Sequence, residues 1–206
     1  MSTFEVPELA RQRALTNGEA GTRWLRDVRD IACALAQRWD LQLGTAFNGG
    51  TTALVIAATR PSGSECVLKV ARPFDDDGGE IYRRGVLTHQ LAAGQGCAEL
   101  IAHDEPSRAL LMERLGDDLG TLGFNVPQIL QTITTTLQTF WRPLPEDCAL
   151  PTGADATRWL AENIVTFWDQ LGQHHCWWPA GNAHRWPGEP SERSPQSVFG
   201  DWSDGR

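Results

Sequence analysis

Two tight turns, Asn48-Gly49-Gly50 and Pro61-Ser62-Gly63-Ser64-Glu65, cut residues 41–72 into three short runs and point to a β-meander. Asn-Gly and Gly-Gly steps supply the positive φ that hairpin turns require. The runs between them, LQLGTAF, TTALVIAATR and CVLKVAR, are rich in β-branched residues, the signature of strands. Three antiparallel strands therefore follow one another along the chain.

A helix precedes them. In residues 21–40, Trp24, Val28, Ile31, Leu35 and Trp39 recur at helical spacing, with Thr22 as the expected cap. After the meander, DDDGG at 75–79 breaks the pattern and a second helix is expected over 80–93, with Ile81, Leu87 and Leu91 on its apolar side. Two further strand-like runs, AELIAHDE and ALLMERL, are joined by a PSR turn. The expected order is five antiparallel strands with one helix inserted between the third and fourth.

From residue 116 the period turns helical. Ile129, Ile133, Leu137 and Phe140 form one stripe, opened by Asn125 and Pro127; Leu160, Ile164, Phe167 and Leu171 form another, opened by Asp155. The chain reads as α+β, with a helix and β-rich half over 1–115 and a helical half over 116–206. After residue 173 no period is sustained, and four of the nine tryptophans fall between 177 and 202. A surface loop and a reading-frame slip in GC-rich coding DNA both produce such a mixture.

Composition narrows the class. With 206 residues, 41% of them hydrophobic and 21% charged, the chain can bury a real core as an ordinary soluble protein. No run approaches the roughly 18 apolar residues of a membrane span, and no basic-then-apolar leader opens the chain, so a cytoplasmic location without a membrane partner is expected. A formal net charge of −8 argues against nucleic acid, which needs a basic face. It suits a small cationic substrate. The cysteines at 33, 66, 97, 148 and 176 form no C-x-x-C pair, so neither a zinc ribbon nor a disulfide framework is indicated. His174, His175 and Cys176 are adjacent and cannot easily all face one metal. Metal ligands and oligomeric state stay unknown at this level.

The chemistry concentrates on Lys69. On a strand, Val67, Lys69 and Ala71 share a face, and an ammonium in that apolar run needs an anion or an exit to water. Glu80, on the following helix, is the nearest candidate in order, about one element later. The turn at Asn48, Gly49, Gly50 and Thr51 could fold its backbone over phosphates. It could equally be a plain hairpin turn, since the full G-x-G-x-x-G pattern is absent.

Glycine turn, strand lysine, helix glutamate, two strands and LLMERL leading into helices form the order of a kinase N-lobe. Over residues 20–173 the chain resembles the aminoglycoside and hydroxyurea phosphotransferase group of the protein-kinase-like superfamily. The resemblance rests on RWDLQLGTAFNGGTTALVIAATRPSGSECVLKVARP, GQGCAELIAHDEPSRALLMERL and ATRWLAENIVTFWDQLG. It implies a kinase-like N-lobe followed by a partial helical C-lobe, with ATP and Mg²⁺ as cofactors. Lys69 would hold the α- and β-phosphates, Glu80 would orient Lys69, and residues 48–52 would cover the phosphates. The backbone from Glu113 to Leu115 would form the adenine hinge, with Met112 behind the site or simply in the core.

The family's catalytic loop, H-G-D-x-H-x-x-N, has its counterpart in FGDWSDGR, which makes Asp201 the expected catalytic aspartate. Phe199 and Ser203 replace the histidines, and Arg206 stands where the Mg²⁺-binding asparagine belongs; a guanidinium cannot coordinate a cation. Two functions are therefore expected. One is an ATP-dependent phosphotransferase acting on a hydroxyl of an aminoglycoside-like or hydroxyurea-type small molecule. The alternative is a truncated or frame-shifted remnant, catalytically inactive, that at most binds nucleotide. An interaction module built on the C-terminal tryptophans has no other support.

Overall fold

The computed structural model describes residues 4–48, 50–73, 79–145 and 147–170. Five helices, five strands and one short 3-10 turn follow in order: α1 Glu8–Leu15, α2 Gly18–Arg38, β1 Gln42–Ala46, β2 Ala53–Thr59, β3 Glu65–Ala71, α3 Glu80–Ala92, β4 Leu100–Asp104, β5 Ala109–Glu113, the 3-10 turn Leu119–Thr121, α4 Val126–Phe140 and α5 Gly153–Gln170. The result is α+β with a five-stranded antiparallel sheet, compatible with a kinase-like fold. The chain divides into two compact units, Met1–Leu150 and Pro151–Arg206.

The strands lie in the order β1-β2-β3-β5-β4, all neighbours antiparallel. The alternation of each strand sorts its side chains onto two faces. Leu54, Ile56, Leu68, Val70 and Ala109 meet Trp24, Val28, Ala32 and Leu35 of α2, together with Phe4 and Ala14. Each large aliphatic sealed there contributes about 1.5–3 kcal/mol. The opposite face carries Val67, Leu110 and Met112, which pack on Tyr82 and Val86 of α3. Met112 is thus a core residue beneath α3.

The expected stripe of α2 holds at Trp24, Val28 and Leu35, with Ala32 buried beside a half-buried Ile31. Its start differs. The helix begins at Gly18 after Asn17, and Thr22 lies inside it, its hydroxyl donating to the Gly18 carbonyl at 2.9 Å. Asn17 does not cap with its side chain either; its Nδ2 donates to the Pro73 carbonyl at 2.9 Å, and its Oδ1 accepts from Arg72. α1 was not expected. Its buried residues are only Ala10 and Ala14, too small to write an apolar stripe.

α4 opens as its sequence indicates. Asn125 accepts from the Gln128 N–H at 3.0 Å while the Gln128 side chain accepts from the Asn125 N–H at 2.9 Å, a reciprocal cap. Its end is fastened to the end of α3: Arg142 donates to the Leu91 carbonyl at 3.0 Å and to that of Thr139 at 3.4 Å. Within the second unit, Thr152 and Asp155 exchange the bonds that start α5, the Asp155 carboxylate accepting from the Thr152 N–H at 3.0 Å. Among the described residues no helix is long and apolar enough to cross a membrane.

Candidate active site

The register of β3 and β5 positions the site. Lys69 faces Leu110 and Val67 faces Met112 across the ladder, so Lys69 emerges on the α3 side of the sheet. It is half-buried, and among the described residues no acidic side chain lies within ion-pair distance of it. A cavity of about 340 Å³ opens there. Ala71 and Leu110 line it from the sheet, Ile81, Tyr82 and Gly85 from α3, and Thr52 from the segment after the glycine turn. Arg72 and Arg108 join Lys69 on its wall. Three cations on one small cavity, in a chain of net charge −8, favour an anionic guest.

The turn over residues 47–52 is tied down on both sides. The Phe47 N–H donates to the Val55 carbonyl at 2.8 Å, and the Arg72 N–H donates to that of Thr52 at 3.0 Å. The Arg72 Nε reaches the Thr51 carbonyl at 3.3 Å. Thr52 lines the cavity while Asn48, Gly50 and Thr51 precede it in the chain without lining it, and Gly49 lies outside the described residues.

Glu80 is not brought to Lys69. As the first residue of α3 it accepts from Arg84 at 2.8 Å and from Arg83 at 3.2 Å, partners one helical turn away on its own surface. Hydrogen bonds from Arg83 and then Arg84 hold its carboxyl below the usual carboxylate range. Arg83 also reaches Glu105 at 3.2 Å. The expected Lys69–Glu80 pair is therefore replaced in this structure by a local Glu80–arginine cluster.

Glu113 ends β5 and is engaged with β4. Its N–H donates to the Glu99 carbonyl at 3.0 Å, and its Oε1 accepts from the Glu99 N–H at 3.1 Å. Leu115 follows at 62% exposure. Between them Arg114 pairs with Glu65 at 2.8 Å and stacks over the Phe47 ring at 5.7 Å. Asp201, like the cluster at 174–176, lies outside the described residues.

Tyr82 closes the back of the cavity. Its hydroxyl donates to the Ala109 carbonyl at 3.1 Å and lies 3.4 Å from His103 Nδ1. Burial, then the charges of Asp104 and Glu105, pushes its pKa up to about 12, so it is a neutral donor near neutral pH. Arg72, Tyr82 and Arg108 were not singled out from the sequence. One signal existed for Arg108: a turn position of positive φ is a place for glycine or asparagine, and arginine stands there at φ 49.

Lys69, Arg72 and Arg108 thus share one cavity with a largely apolar remainder, Ala71, Ile81, Tyr82, Gly85 and Leu110. Among the described residues no three His, Cys, Asp or Glu side chains converge as a cation site, and the loop expected to carry the metal position, residues 199–206, lies outside them.

Comparison with known proteins gives a consistent family. The profile described as aminoglycoside/hydroxyurea antibiotic resistance kinase matches residues 38–164. A hydroxyurea phosphotransferase of Kitasatospora aureofaciens is 30% identical over 115 residues, covering 55% of this chain and 32% of that protein. A streptomycin 6-kinase of Streptomyces glaucescens is 33% identical over 112 residues, covering 54% of this chain and 35% of its own length. A second streptomycin 6-kinase, from Streptomyces griseus, is 27% identical over 113 residues. The matched stretch thus spans about a third of these relatives.

Proposed function

This chain belongs to the aminoglycoside/hydroxyurea antibiotic resistance kinase family, and we propose that it binds ATP in the Lys69 cavity and serves a phosphotransferase acting on a hydroxyl of a small molecule. The observation that carries the reading is Lys69 itself: a half-buried ammonium with no acidic partner among the described residues, on a cavity wall shared with two arginines. Charged groups so placed are normally paired. A nucleotide phosphate supplies the missing partner.

In this reading the division falls between a nucleotide lobe over 1–115 and an acceptor part over 116–206. Lys69 holds the α- and β-phosphates, and Asn48, Gly49, Gly50 and Thr51 cover them with backbone N–H groups. The Glu113–Leu115 backbone receives adenine; with the Glu113 N–H given to Glu99, the donor falls to the residues that follow. Glu80 orients Lys69 only by leaving Arg83 and Arg84, so closure of α3 toward the sheet accompanies binding. Asp201 is the proposed residue that orients the acceptor hydroxyl and takes its proton. Bound ATP supplies the γ-phosphoryl group. The acceptor is an aminoglycoside-like or hydroxyurea-type compound, the substrate classes named for the relatives. A cytoplasmic site of action is part of the same proposal.

Thermal unfolding of the full chain with Mg·ATP, for wild type and Lys69→Ala, tests the site. A nucleotide-dependent rise in Tm that Lys69→Ala abolishes is expected; no rise, or an equal rise in both, sinks it. ATP turnover with streptomycin and with hydroxyurea tests the activity. Binding without turnover favours the alternative of an inactive nucleotide-binding remnant.

A further inference from the structure

Arg108 shares the cavity wall with Lys69, and the ladder places it in line with the proposed site. Cys66 faces Glu113, Lys69 faces Leu110 and Val70 faces Ala109. One step on, the Ala71 N–H donates to the Arg108 carbonyl at 3.1 Å. At about 3.3 Å per residue, Lys69 stands ~10 Å along the sheet from Glu113, and Arg108 stands ~7 Å further the same way. Counted from the proposed adenine end, Arg108 is the cation beyond Lys69.

Its conformation is one that few non-glycine residues adopt, shared among the described residues with Asp40 and Ala93. Arg108 adopts φ 49 at the β4–β5 turn, a region that asparagine or glycine enters more cheaply. Strain of this kind persists where the surroundings or a task require the residue. Its side chain is directed to the start of α3: a β-carbon on Gly79 would lie 3.9 Å from Arg108 Nε and 3.3 Å from Arg83 Nη1. The half-buried Arg108 lines the same cavity as Lys69 and Arg72.

We infer that Arg108 contacts the terminal phosphate of the bound nucleotide and makes the cavity select a nucleoside triphosphate over a diphosphate. The inference rests on the nucleotide reading of the cavity. Lys69 holds whatever phosphates the two ligands share; Arg108 reaches only the third. Its guanidinium fork matches phosphate oxygens in a way that a point charge does not.

The test uses the full chain and Arg108→Asn, a change that removes the guanidinium and suits φ 49. The two backbone bonds of Arg108, from its N–H to the Glu105 carbonyl at 2.9 Å and from the Ala71 N–H, are kept. Dissociation constants for Mg·ATP and Mg·ADP are measured by calorimetry. Wild type is expected to prefer ATP by roughly tenfold or more, and Arg108→Asn by less than about threefold with ADP affinity almost unchanged. Arg108→Gly, also compatible with positive φ, must reproduce the loss and stands in if the asparagine variant does not fold. An unaltered ATP-to-ADP ratio in the variants, or equal loss of both nucleotides, overturns the role of Arg108. Wild type that binds both nucleotides equally overturns it too while leaving the nucleotide site standing. Wild type that binds neither overturns the site and the inference together.

Discussion

Lys69 stands directly across the β3–β5 ladder from Leu110, so a charged side chain shares one sheet face with a core leucine. Nothing acidic among the described residues pairs with it, and the proposed nucleotide site would supply its partner. Lys69→Met keeps the length of the stem and removes the charge. Its unfolding free energy without ligand is expected to change by no more than about 0.5 kcal/mol, as is typical of substitutions that break no interaction. Its affinity for Mg·ATP should fall by roughly tenfold or more, the worth of a charge-assisted contact to phosphate. A large loss of stability with unchanged nucleotide affinity would contradict the assignment.

Two helix glycines should respond to alanine with opposite signs. A β-carbon on Gly21 would lie 1.7 Å from the Ala14 carbonyl oxygen, so α1 and α2 must separate to admit it. Overpacking of that kind costs about 1–3 kcal/mol, more than the ~1 kcal/mol gained from helix propensity. Around Gly85, on α3, no heavy atom beyond its chain neighbours and the helix's own backbone lies within 4 Å of the added β-carbon, and Gly85→Ala should gain about 0.5–1 kcal/mol. Denaturant unfolding of both variants checks the pair of signs; stabilisation by Gly21→Ala would refute the close approach.

The contrast between these helices also shows what the residue order could reveal. The three-strand meander, the Trp24–Val28–Leu35 stripe and the Asn125 cap are local patterns, and each appears where its residues indicate. α1 escaped because alanines pack it, and the Thr22 cap was displaced because an unforeseen turn at Asn17 and Gly18 starts α2 earlier. Nothing in the order of strands discloses that β5, not β4, lies beside β3, and this adjacency is what aligns Glu113, Lys69 and Arg108. Glu80 was the candidate partner on the helix after Lys69, but arginines three and four residues along that helix compete for it at shorter range. Asp201 belongs to a segment outside the described residues.

Arg142 fastens α4 to the end of α3. It donates to the Leu91 carbonyl at 3.0 Å, and to those of Thr139 and Phe140 at 3.4 Å each, where carbonyls at helix ends lack partners. Beside it α4 runs against bare backbone: a β-carbon on Gly96 would lie 2.7 Å from the Thr136 carbonyl oxygen. Arg142→Met is expected to cost about 1–3 kcal/mol, since it leaves helix-end carbonyls unmet, and to speed amide exchange in α4 before that in the sheet. Gly96→Ala should do the same through the clash and its positive φ of 74. Uniform exchange across both elements would show that the junction is no separate joint.

Tyr82 offers a probe that needs no ligand, because it is the chain's one tyrosine and phenolate absorbance therefore reports it alone. Its hydroxyl is buried beside the Ala109 carbonyl, and burial with the nearby acids lifts its pKa to about 12. In the unfolded chain the ordinary value is about 10. The folded state thus holds the proton more tightly, so its contribution to stability is complete below pH ~10 and is lost as pH rises toward ~12. The whole effect is of order 2 kcal/mol. Spectrophotometric titration should give a midpoint near 12 for the folded protein and near 10 in denaturant. Tyr82→Phe should lose about 1 kcal/mol through the unmet Ala109 carbonyl and should no longer show this alkaline slope. A folded-state midpoint near 10 would mean that the hydroxyl is open to water, and that the cavity behind Lys69 is not closed there by Tyr82.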